Sequence, residues 1–291
     1  MTKVLIMGST GMLGHAVSLE FAGFQGEVIG TARRATDQKN LAEVREFNAS
    51  IDDLGKVVSD FGPGDYVINC IGIIKPYIKD ESPEQRENAI RINSLFPDKL
   101  AAKANEQGFK VIQIATDCVF SGQKGNYTET DAHDALDVYG KSKSLGEIPI
   151  DSMMHIRVSI IGPEYGRSTS LLEWVRNQPM NSEISGYSDH MWNGVPTKHY
   201  GRICRGIIEN NGFIPGIHHL VPANMVSKFE LVSQIAAVSN RNDIVITERP
   251  SGATIDRTLS TANPEVNKKL WSDAGYSDIP TMQQLVNEIF E

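Results

Sequence analysis

The sequence has few cysteines and no spacing typical of a metal or disulfide site. Its 291 residues include three cysteines, Cys70, Cys118 and Cys204, and none of them forms a Cys-x-x-Cys pair. An odd number of scattered cysteines argues against a disulfide framework and is typical of reduced thiols in a cytoplasm. No His-Glu-x-x-His motif or other metal-ligand spacing occurs either. We therefore expect a cytoplasmic protein that binds no metal ion.

Long apolar runs and dense basic runs are also missing. No apolar stretch reaches membrane-spanning length, and residues of strand type start at Lys3, so we expect neither a membrane segment nor a signal peptide. The net charge is −8 without a basic cluster, which argues against a nucleic-acid partner. No repeat or low-complexity tract occurs. A hydrophobic content of 40% and a charged content of 22% fit a globular protein of one large domain or two interleaved ones.

The chain opens with the order strand, glycine turn, helix, strand. An apolar run at 3–7 is followed by the turn 8–14, a segment of helical type to about Phe24, and a second strand-type run at 27–31. In this context glycines permit a tight turn and let the backbone approach a pyrophosphate, whose charge is stabilised by the helix N-terminus. A plain tight turn is the alternative. The candidate cofactor-binding residues of this turn are Gly8, Thr10, Gly11, Met12, Leu13 and Gly14.

The end of the second strand-type run indicates which dinucleotide is bound. An acidic residue there would bind a ribose hydroxyl and favour NAD, but Arg33 and Arg34 come first and the first acid is Asp37. Paired arginines match a 2′-phosphate, so NADP(H) is favoured, with a solvated basic loop as the alternative. Two later strand ends supply further predicted cofactor-binding residues. Asn48, at the end of the third predicted strand, is expected near the adenine edge. Cys70, Ile71 and Gly72, at the end of the fourth, are expected where the cofactor lies close to the backbone.

The stretch from Thr116 to Lys143 predicts acid–base chemistry. An apolar strand-type run ends at Thr116, and Tyr139 and Lys143 share one face of a segment of helical type. Ligands of open α/β sheets bind at the carboxyl ends of the strands. We expect Lys143 to lower the pKa of Tyr139 from its usual value of about 10, so that the phenol can exchange a proton with a carbonyl or alcohol oxygen. Thr116 can hold that oxygen, although a chance Tyr and Lys on an amphipathic helix is the alternative.

The remaining pattern alternates strands and helices before it becomes irregular. Helices are predicted over 51–61, 82–107, 168–177, 198–210, 227–239, 264–270 and 281–290. Strands are predicted over 43–48, 66–72, 110–115, 154–161, 217–221 and 244–247, and the stretch 183–197 is predicted to be mostly loop.

This alternation predicts an α/β protein: a Rossmann-type doubly wound parallel sheet with a smaller, mostly C-terminal substrate domain. Residues 1–162 would form the NADP(H)-binding domain, with later segments at about 195–216 and 240–256 returning to it. Residues 163–291 would mainly form the substrate-binding domain and cover the open side of the cleft.

Several motifs occur together over most of the chain. They are Gly8-x-x-Gly11-x-x-Gly14, Thr116-Asp117-x-Val119-Phe120-x-Gly122, Tyr127-x-Glu129-x-Asp131, Val138-Tyr139-Gly140-x-Ser142-Lys143, Gly194-x-Pro196-Thr197, and Arg249-Pro250 before Asp256. In combination they resemble the extended short-chain dehydrogenase/reductase family, and within it dTDP-4-dehydrorhamnose reductase and its sugar-nucleotide relatives.

The resemblance implies an oxidoreductase of deoxysugar and polysaccharide biosynthesis that reduces the 4-keto group of a nucleotide-linked 6-deoxysugar with NADPH. It gives Thr116, Tyr139 and Lys143 the catalytic roles, with Tyr139 as proton donor, and it places Asn93, Tyr139 and Lys143 among the cofactor-binding residues. The substrate-binding residues expected from it are Cys118, Phe120, His190, Trp192, Asn193 and Arg249. The expected partner is a nucleotide sugar; the oligomeric state stays open, with a homodimer as one option.

Two departures from the family pattern leave alternatives open. Cys118 replaces the usual aromatic after Thr-Asp, and Trp192-Asn193 replaces the usual Asp-Gln before Gly-x-Pro-Thr. Cys118 resembles the cysteine of GDP-fucose synthase, an epimerase–reductase, in which case His190 would be the second acid. A 4,6-dehydratase is disfavoured, since it would carry Glu at position 118. The third alternative is a non-catalytic NADP-binding subunit, like the regulatory subunit of methionine adenosyltransferase.

Overall fold

The structure, a computed structural model, describes residues 1–37, 40–164, 168–253 and 255–290. The strands in this part of the chain are β1 (Lys3–Met7), β2 (Glu27–Ala32), β3 (Glu43–Glu46), β4 (Tyr66–Asn69), β5 (Lys110–Ala115), β6 (Met153–Arg157), β7 (Ile160–Ile161), β8 (Glu183–Tyr187), β9 (His190–Trp192), β10 (Val195–Pro196), β11 (Gly216–His219), β12 (Val226–Ser227), β13 (Val245–Arg249) and β14 (Ile255–Asp256).

The α-helices are α1 (Met12–Glu20), α2 (Leu54–Val57), α3 (Pro83–Ile90), α4 (Phe96–Gln107), α5 (Val138–Leu145), α6 (Leu171–Arg176), α7 (Thr197–Glu209), α8 (Lys228–Val238), α9 (Pro264–Asp273) and α10 (Met282–Asn287). A π-helical turn, Arg91–Leu95, joins α3 to α4 without a break.

A seven-stranded parallel sheet forms the centre of the molecule. Its strand order is β11-β6-β5-β4-β1-β2-β3. The chain first builds outward from β1 to β3 and then returns to the other side of β1 with β4. The carboxyl ends of β1 and β4 therefore flank the point where the direction of winding reverses, which is where open α/β sheets bind ligands. This is the Rossmann-type fold that the sequence predicted.

The sheet is buried on both faces, which explains why its strands are continuous apolar runs. Side chains of β1 alternate between the two sides because the side-chain period of a strand is two. Val4 and Ile6 belong to the same buried cluster as Val17 of α1 and Ile207 of α7. The intervening residue, Leu5, packs in a second cluster with residues of α4 on the opposite face.

The C-terminal half builds a wall of small sheets beside the central one. In it β8 pairs in parallel with β13, and β9 lies between β12 and β14. Helix α8 packs against β8 and β13. Three strands, β8, β9 and β10, lie in the stretch 183–197 that we predicted to be mostly loop, and that prediction is wrong. The strands are short and find their partners far along the chain, so the local pattern carries little signal.

Two further predicted elements differ from the structure. The helix predicted over 51–61 is reduced to the four residues of α2, where Asp53 caps the first turn and Gly55 lies inside it. Glycine lowers helix stability by about 1 kcal/mol relative to alanine, so a short segment of this kind ends early. The strand predicted over 154–161 is divided, because β7 leaves the central sheet to pair with β10.

The expected returns of the chain to the first domain differ in outcome. Helix α7 packs on α1, and β11 joins the edge of the central sheet beside β6. The segment 240–256, in contrast, pairs β13 with β8 and β14 with β9. It therefore belongs to the C-terminal wall rather than to the sheet. No helix in the described part of the chain is long and apolar enough to cross a membrane.

Candidate active site

Thr116 lies at the carboxyl end of β5 and caps a short 3₁₀ turn. Its side chain is 7% exposed, and its Oγ1 accepts a hydrogen bond from the Cys118 backbone nitrogen at 3.2 Å. The same hydroxyl donates to Oδ1 of Asp117 at 3.2 Å. These two contacts use the single donor of the hydroxyl and one of its two lone pairs, so Thr116 can still accept a hydrogen bond from a further hydroxyl in the cleft.

Helix α5 brings Tyr139 to this turn through a very close backbone contact. Asp137 caps the helix by accepting a hydrogen bond from the Gly140 nitrogen at 2.8 Å. A Cβ on Gly140 would lie 2.3 Å from the Cys118 carbonyl oxygen, so only glycine allows this approach. The Tyr139 hydroxyl consequently reaches hydrogen-bonding contact with the Thr116 side chain.

Burial raises the pKa of Tyr139 well above its ordinary value. The acidic side chains of Cys118 and Asp117 act in the same direction, while the hydrogen bond with Thr116 opposes them. Our expectation that Lys143 lowers the pKa of this phenol is therefore wrong. At neutral pH Tyr139 carries its proton, which is the form that an acid must have to protonate a substrate oxygen.

Lys143 lies one helical turn beyond Tyr139 and is 7% exposed. Its Nζ donates a hydrogen bond to the carbonyl oxygen of Ile114 in β5 at 2.9 Å, which ties the helix to the strand. Burial lowers the pKa of Lys143 to about 8, and the charge of Glu147 opposes that shift. A lysine with this pKa can both carry and release a proton near neutral pH.

Asn93 occupies the π-helical turn and joins two parts of the cleft. Its Nδ2 donates to the Ile73 carbonyl at 2.9 Å and to Oγ of Ser142 at 3.1 Å. Its Oδ1 accepts from the Ile73 nitrogen at 2.9 Å. These bonds fix the loop after β4 against α5, between Tyr139 and Lys143. The side chain is 2% exposed and fully engaged by protein groups, so the structure gives it a positioning contact rather than an open cofactor contact.

The glycine turn between β1 and α1 forms a cradle with open backbone donors. Gly8 has a φ of 75°, and a Cβ on Gly14 would lie 2.2 Å from the Gly8 carbonyl oxygen. Gly11 precedes α1 and offers no side-chain cap, while Thr10 is exposed beside it. The free N–H groups of Met12 and its neighbours at this helix start are suited to a pyrophosphate. Leu13, also predicted here, is buried in the core beneath the turn.

The other residues predicted to bind the dinucleotide follow neighbouring strands. Arg33 and Arg34 are exposed after β2, and Nε of Arg34 lies 3.4 Å from Oδ2 of Asp37. Asn48 follows β3 and accepts a hydrogen bond from the Ser50 nitrogen at 3.1 Å, which uses one of its amide oxygen's two lone pairs. Cys70, Ile71 and Gly72 follow β4 directly, next to the glycine turn. These positions line up along one edge of the sheet.

A cavity of about 760 Å³ opens in the C-terminal wall. Among the residues predicted to bind substrate, His190 and Arg249 line it. The Arg249 guanidinium lies 6.0 Å from the centre of the Tyr187 ring, and His190 Nε2 contacts Oγ of Ser251 at 2.8 Å. A lining of cationic, aromatic and hydroxyl side chains is suited to an anionic ligand with a ring system.

Three predicted substrate residues support the wall instead of lining this cavity. Phe120 is fully buried and stacks on Tyr127 with ring centres 4.2 Å apart. Trp192 is 5% exposed and donates from Nε1 to Oγ of Ser159 at 2.8 Å. Asn193 pairs its amide with the backbone of Leu259 through both Nδ2 and Oδ1, at 2.7 and 2.9 Å. Sequence motifs could not show that these three side chains are buried.

Cys118 is half-buried between the catalytic turn and the cleft. Burial raises the pKa of its thiol to about 12, and the neighbouring Asp117 carboxyl adds to the shift. At neutral pH the group is therefore a neutral thiol and not the thiolate that proton abstraction from carbon would need.

Sequence reasoning missed two charged residues at the inner end of the cleft, Asp117 and Lys228. Asp117 is 8% exposed, and burial raises the pKa of its carboxyl against the opposing charges of Arg257 and Lys228. Lys228 lies in the cavity wall at the first position of α8. The only available signal was a lysine at the start of the helix predicted over 227–239, where a cation is unfavourable. In the described part of the chain no group of three or more His, Cys, Asp or Glu side chains could hold a metal ion.

Comparison with known proteins identifies a family model and several proteins of similar sequence. The family model described as "RmlD substrate binding domain" matches residues 1–290. The methionine adenosyltransferase 2 subunit beta of Danio rerio is 30% identical over 278 residues, covering 88% of this chain and 80% of that protein. The spore coat polysaccharide biosynthesis protein SpsK of Bacillus subtilis is 28% identical over 255 residues, covering 84% and 82%.

The fold is also found in solved structures. That of dTDP-4-dehydrorhamnose reductase from Bacillus anthracis in complex with NADP has a TM-score of 0.77 with this chain. The two share 18% identity, and the match covers 100% of this chain and 99% of that one. At this identity the match shows a common fold.

Proposed function

The chain belongs to the family described by the RmlD substrate binding domain model, and from that premise we propose that it is an NADPH-dependent reductase of nucleotide sugars. Its reaction is the reduction of the 4-keto group of a nucleotide-linked 6-deoxysugar to an alcohol. Thr116, Tyr139 and Lys143 are the catalytic residues, and Tyr139 donates the proton.

The placement of Tyr139 on α5 beside Thr116 at the end of β5 is the observation that carries this proposal. The raised pKa of Tyr139 and its contact with Thr116 leave a phenol that holds its proton until a substrate oxygen develops negative charge. Thr116 donates to the same oxygen when its hydroxyl turns from Asp117 Oδ1 to the substrate, and so fixes the position of that oxygen. As the ketone becomes an alkoxide, the proton moves from the Tyr139 hydroxyl to the oxygen.

Lys143 restores the proton after each turnover. A transient phenolate at Tyr139 raises the proton affinity of its surroundings, and an ammonium with a pKa of about 8 one helical turn away can stabilise it and supply a proton. The hydrogen bond from Nζ to the Ile114 carbonyl holds the amine in place for this task.

The cofactor proposed is NADP(H), and the residues present fit it. The Gly8–Gly14 cradle has the close backbone packing and open helix start that a pyrophosphate requires. Arg33 and Arg34 are exposed at the strand end where a 2′-phosphate would lie. A related fold was solved in complex with NADP, which supports the same choice here. A bound NADPH would supply the hydride for the sugar carbon.

The proposed substrate class rests on the cavity in the C-terminal wall of the cleft. The cavity beside His190 and Arg249 is large enough for a nucleotide sugar, since sites for ligands of that size span about 300–1,000 Å³. Relatives of similar fold were solved with UDP-glucose and with UDP-glucuronic acid, and SpsK is named for polysaccharide biosynthesis. Lys228 in the wall of this cavity interacts electrostatically with Asp117, the neighbour of Thr116, so a sugar bound at Lys228 would lie on the side of the cavity towards Tyr139.

A second candidate function is a subunit role, and the curated relatives favour it. The 30% identical protein of Danio rerio is named as the beta subunit of a methionine adenosyltransferase. A protein in that role would bind NADP(H) and a partner chain without turning over a sugar. The intact Thr116, Tyr139 and Lys143 arrangement supports the reductase as the first candidate.

NADPH oxidation in the presence of 4-keto-6-deoxy sugar nucleotides carrying dTDP, UDP or GDP tests the proposal. The reductase predicts loss of absorbance at 340 nm with at least one substrate and formation of the matching 4-hydroxy sugar. Co-purification with a methionine adenosyltransferase catalytic subunit, together with NADPH binding but no turnover on the whole panel, would instead establish the subunit role.

A further inference from the structure

Lys228 occupies a position where a lysine lowers the stability of its own helix. Ser227 caps α8 in a capping box, in which its Oγ accepts from the Glu230 nitrogen at 3.1 Å and Oε2 of Glu230 accepts from the Ser227 nitrogen at 2.7 Å. Lys228 follows this cap as the first helical residue. The positive end of the helix dipole disfavours a cation there by roughly 0.3–1 kcal/mol. Helix stability therefore does not explain the residue.

The Lys228 ammonium lies near acidic groups but forms no hydrogen bond or ion pair with them among the described residues. Its Nζ lies 5.1 Å from the centre of the Trp192 ring, and the acidic groups that face it are Asp117 and Cys118. Burial lowers the pKa of Lys228 to about 8, and those two groups oppose the shift. Within the described residues Nζ has neither a hydrogen bond nor an ion pair within 4.0 Å. Three N–H donors at a desolvated site are thus left for another molecule.

The position of Lys228 in the cleft limits what that molecule can be. It lines the same cavity as Arg249 and Tyr187. On its other side it faces Asp117, whose neighbour Thr116 contacts the proton donor Tyr139. Lys228 is therefore at the inner end of the cavity, where the ring that carries the reacting carbonyl must lie. A phosphate at this point would also meet the Asp117 carboxylate, which would repel it.

We propose that Lys228 binds the sugar of the nucleotide-sugar substrate by donating hydrogen bonds to its hydroxyl oxygens, and so positions the carbonyl against Thr116 and Tyr139. This inference rests on the proposed substrate class and assigns a residue to its sugar part. Asp117 complements Lys228, because a carboxylate accepts hydrogen bonds from hydroxyls while an ammonium donates to them. A neutral polyol satisfies both groups at once.

The test is a comparison of nucleotide sugar and free nucleotide in calorimetric titrations. The probes are UDP-glucose against UDP and dTDP-glucose against dTDP, each with NADP present. Lys228→Met, which keeps the side-chain length, should weaken binding of the nucleotide sugar at least tenfold and change binding of the nucleotide less than twofold. Lys228→Gln retains two donors and should fall between. Lys141→Met, on an exposed part of α5, is the matched control and should change neither.

Three outcomes would overturn the assignment. One is unchanged nucleotide-sugar affinity in Lys228→Met; another is an equal loss for nucleotide sugar and nucleotide, which would place Lys228 on the phosphates. The third is a wild-type protein that binds neither nucleotide sugar. Unfolding curves of the three variants separate loss of binding from loss of folding, and Lys228→Gln provides a second reading if Lys228→Met folds poorly.

Turnover assays test the reductase proposal separately from the binding role of Lys228. If wild type binds UDP-glucose or dTDP-glucose but reduces no 4-keto sugar, the reductase fails while the titrations still decide the role of Lys228. If wild type is active, Lys228→Met should raise KM about tenfold or more and lower kcat less, since a residue that holds the sugar acts mainly on binding. A fall in kcat with KM unchanged would contradict the assignment of Lys228 to sugar binding.

Discussion

The two walls of the cleft differ in how completely their polar groups are paired within the protein. The catalytic wall, formed by Asn93, Thr116, Tyr139 and Lys143, has each of these side chains in a hydrogen bond with another protein group. The recognition wall contains Lys228 and Arg249, and neither cationic head has a hydrogen bond or ion pair among the described residues.

The difference in pairing matches a division between groups proposed to transfer protons and groups proposed to bind the substrate. Groups that transfer protons work best when their geometry is fixed before the substrate arrives, because no reorganisation is then needed in the transition state. Groups that select a substrate must keep donors free for it. Under the proposed function, the catalytic wall would carry out the proton transfer and the recognition wall would select the substrate. The variants below test that separation in order of decreasing effect.

The largest effect is expected from Tyr139→Phe. Removal of the hydroxyl eliminates the proton donor but keeps the ring that packs on the turn of Thr116. Because general acid catalysis contributes about 10²–10⁴ in rate, turnover should fall about a thousandfold. NADPH affinity should stay within about twofold of wild type, measured by fluorescence titration. Near wild-type turnover in this variant would show that the catalytic wall has been assigned wrongly.

The next effect concerns the exposed arginines at the far end of the cofactor edge. If Arg33 and Arg34 bind the 2′-phosphate, replacing both with Ala should weaken NADPH about a hundredfold, because charge-assisted bonds contribute about 1.5–3 kcal/mol each. NADH lacks that phosphate and should be almost unaffected. Arg91→Ala, an exposed arginine paired with Glu87, is the control. Equal losses for NADPH and NADH would make the arginine pair an ordinary solvated loop.

A third prediction concerns stability. Lys143 has a pKa of about 8 in the folded protein, below its usual 10.5, so burying its charge destabilises the fold at neutral pH. Lys143→Met should therefore raise the free energy of unfolding at pH 7 by about 2 kcal/mol, after allowance for the lost bond to Ile114. Turnover should be lost at the same time.

The pH dependence of this gain has a defined sign. Below pH 8 both the folded and the unfolded wild type carry the Lys143 proton, so the full penalty applies. Between pH 8 and 10.5 the folded state releases the proton while the unfolded state keeps it, so wild-type stability rises relative to the variant. Urea unfolding at pH 7 and pH 10 should show the difference shrinking, with Lys141→Met unchanged at both. A constant difference would exclude this electrostatic cause.

The smallest effect is expected from Cys118→Ser. The thiol has a pKa of about 12 and stays neutral, so it should not remove a proton from the sugar. Incubation of wild type with a 4-keto sugar nucleotide in deuterated water, without NADPH, should give no ring exchange above buffer. The serine variant should keep reductive turnover within roughly threefold of wild type. Rapid exchange that Cys118→Ser abolishes would instead support an epimerase–reductase.

The sequence predicted the catalytic wall better than the recognition wall, and the reason is physical. β5 and α5 are regular elements with strong local patterns, so the positions of Thr116, Tyr139 and Lys143 follow from strand end and helical period. Their ionisation did not follow, because the pKa of Tyr139 depends on burial created by the whole fold. Lys228 and Asp117 lie far apart in the chain and meet only when α8 packs beside the catalytic turn.

The same reasoning explains why three of the predicted substrate residues do not line the cavity. Phe120, Trp192 and Asn193 stand in or next to motifs of the family, and motif position predicts nearness to the site. It does not tell whether a side chain faces the cavity or the core. Asn193 pairs with the Leu259 backbone, a contact that no local pattern reveals.

The pairing of β8 with β13 sets an order of assembly during synthesis on the ribosome. By Arg157 the growing chain has delivered six of the seven central strands and the three residues proposed to be catalytic. β8 follows soon after, but β13 is made only after α7 and α8. At a synthesis rate of about 5–20 residues per second, the edge of β8 stays unpaired for several seconds until β13 has been made. That edge can pair with other chains, so the nascent protein is most prone to aggregation after its catalytic groups already exist.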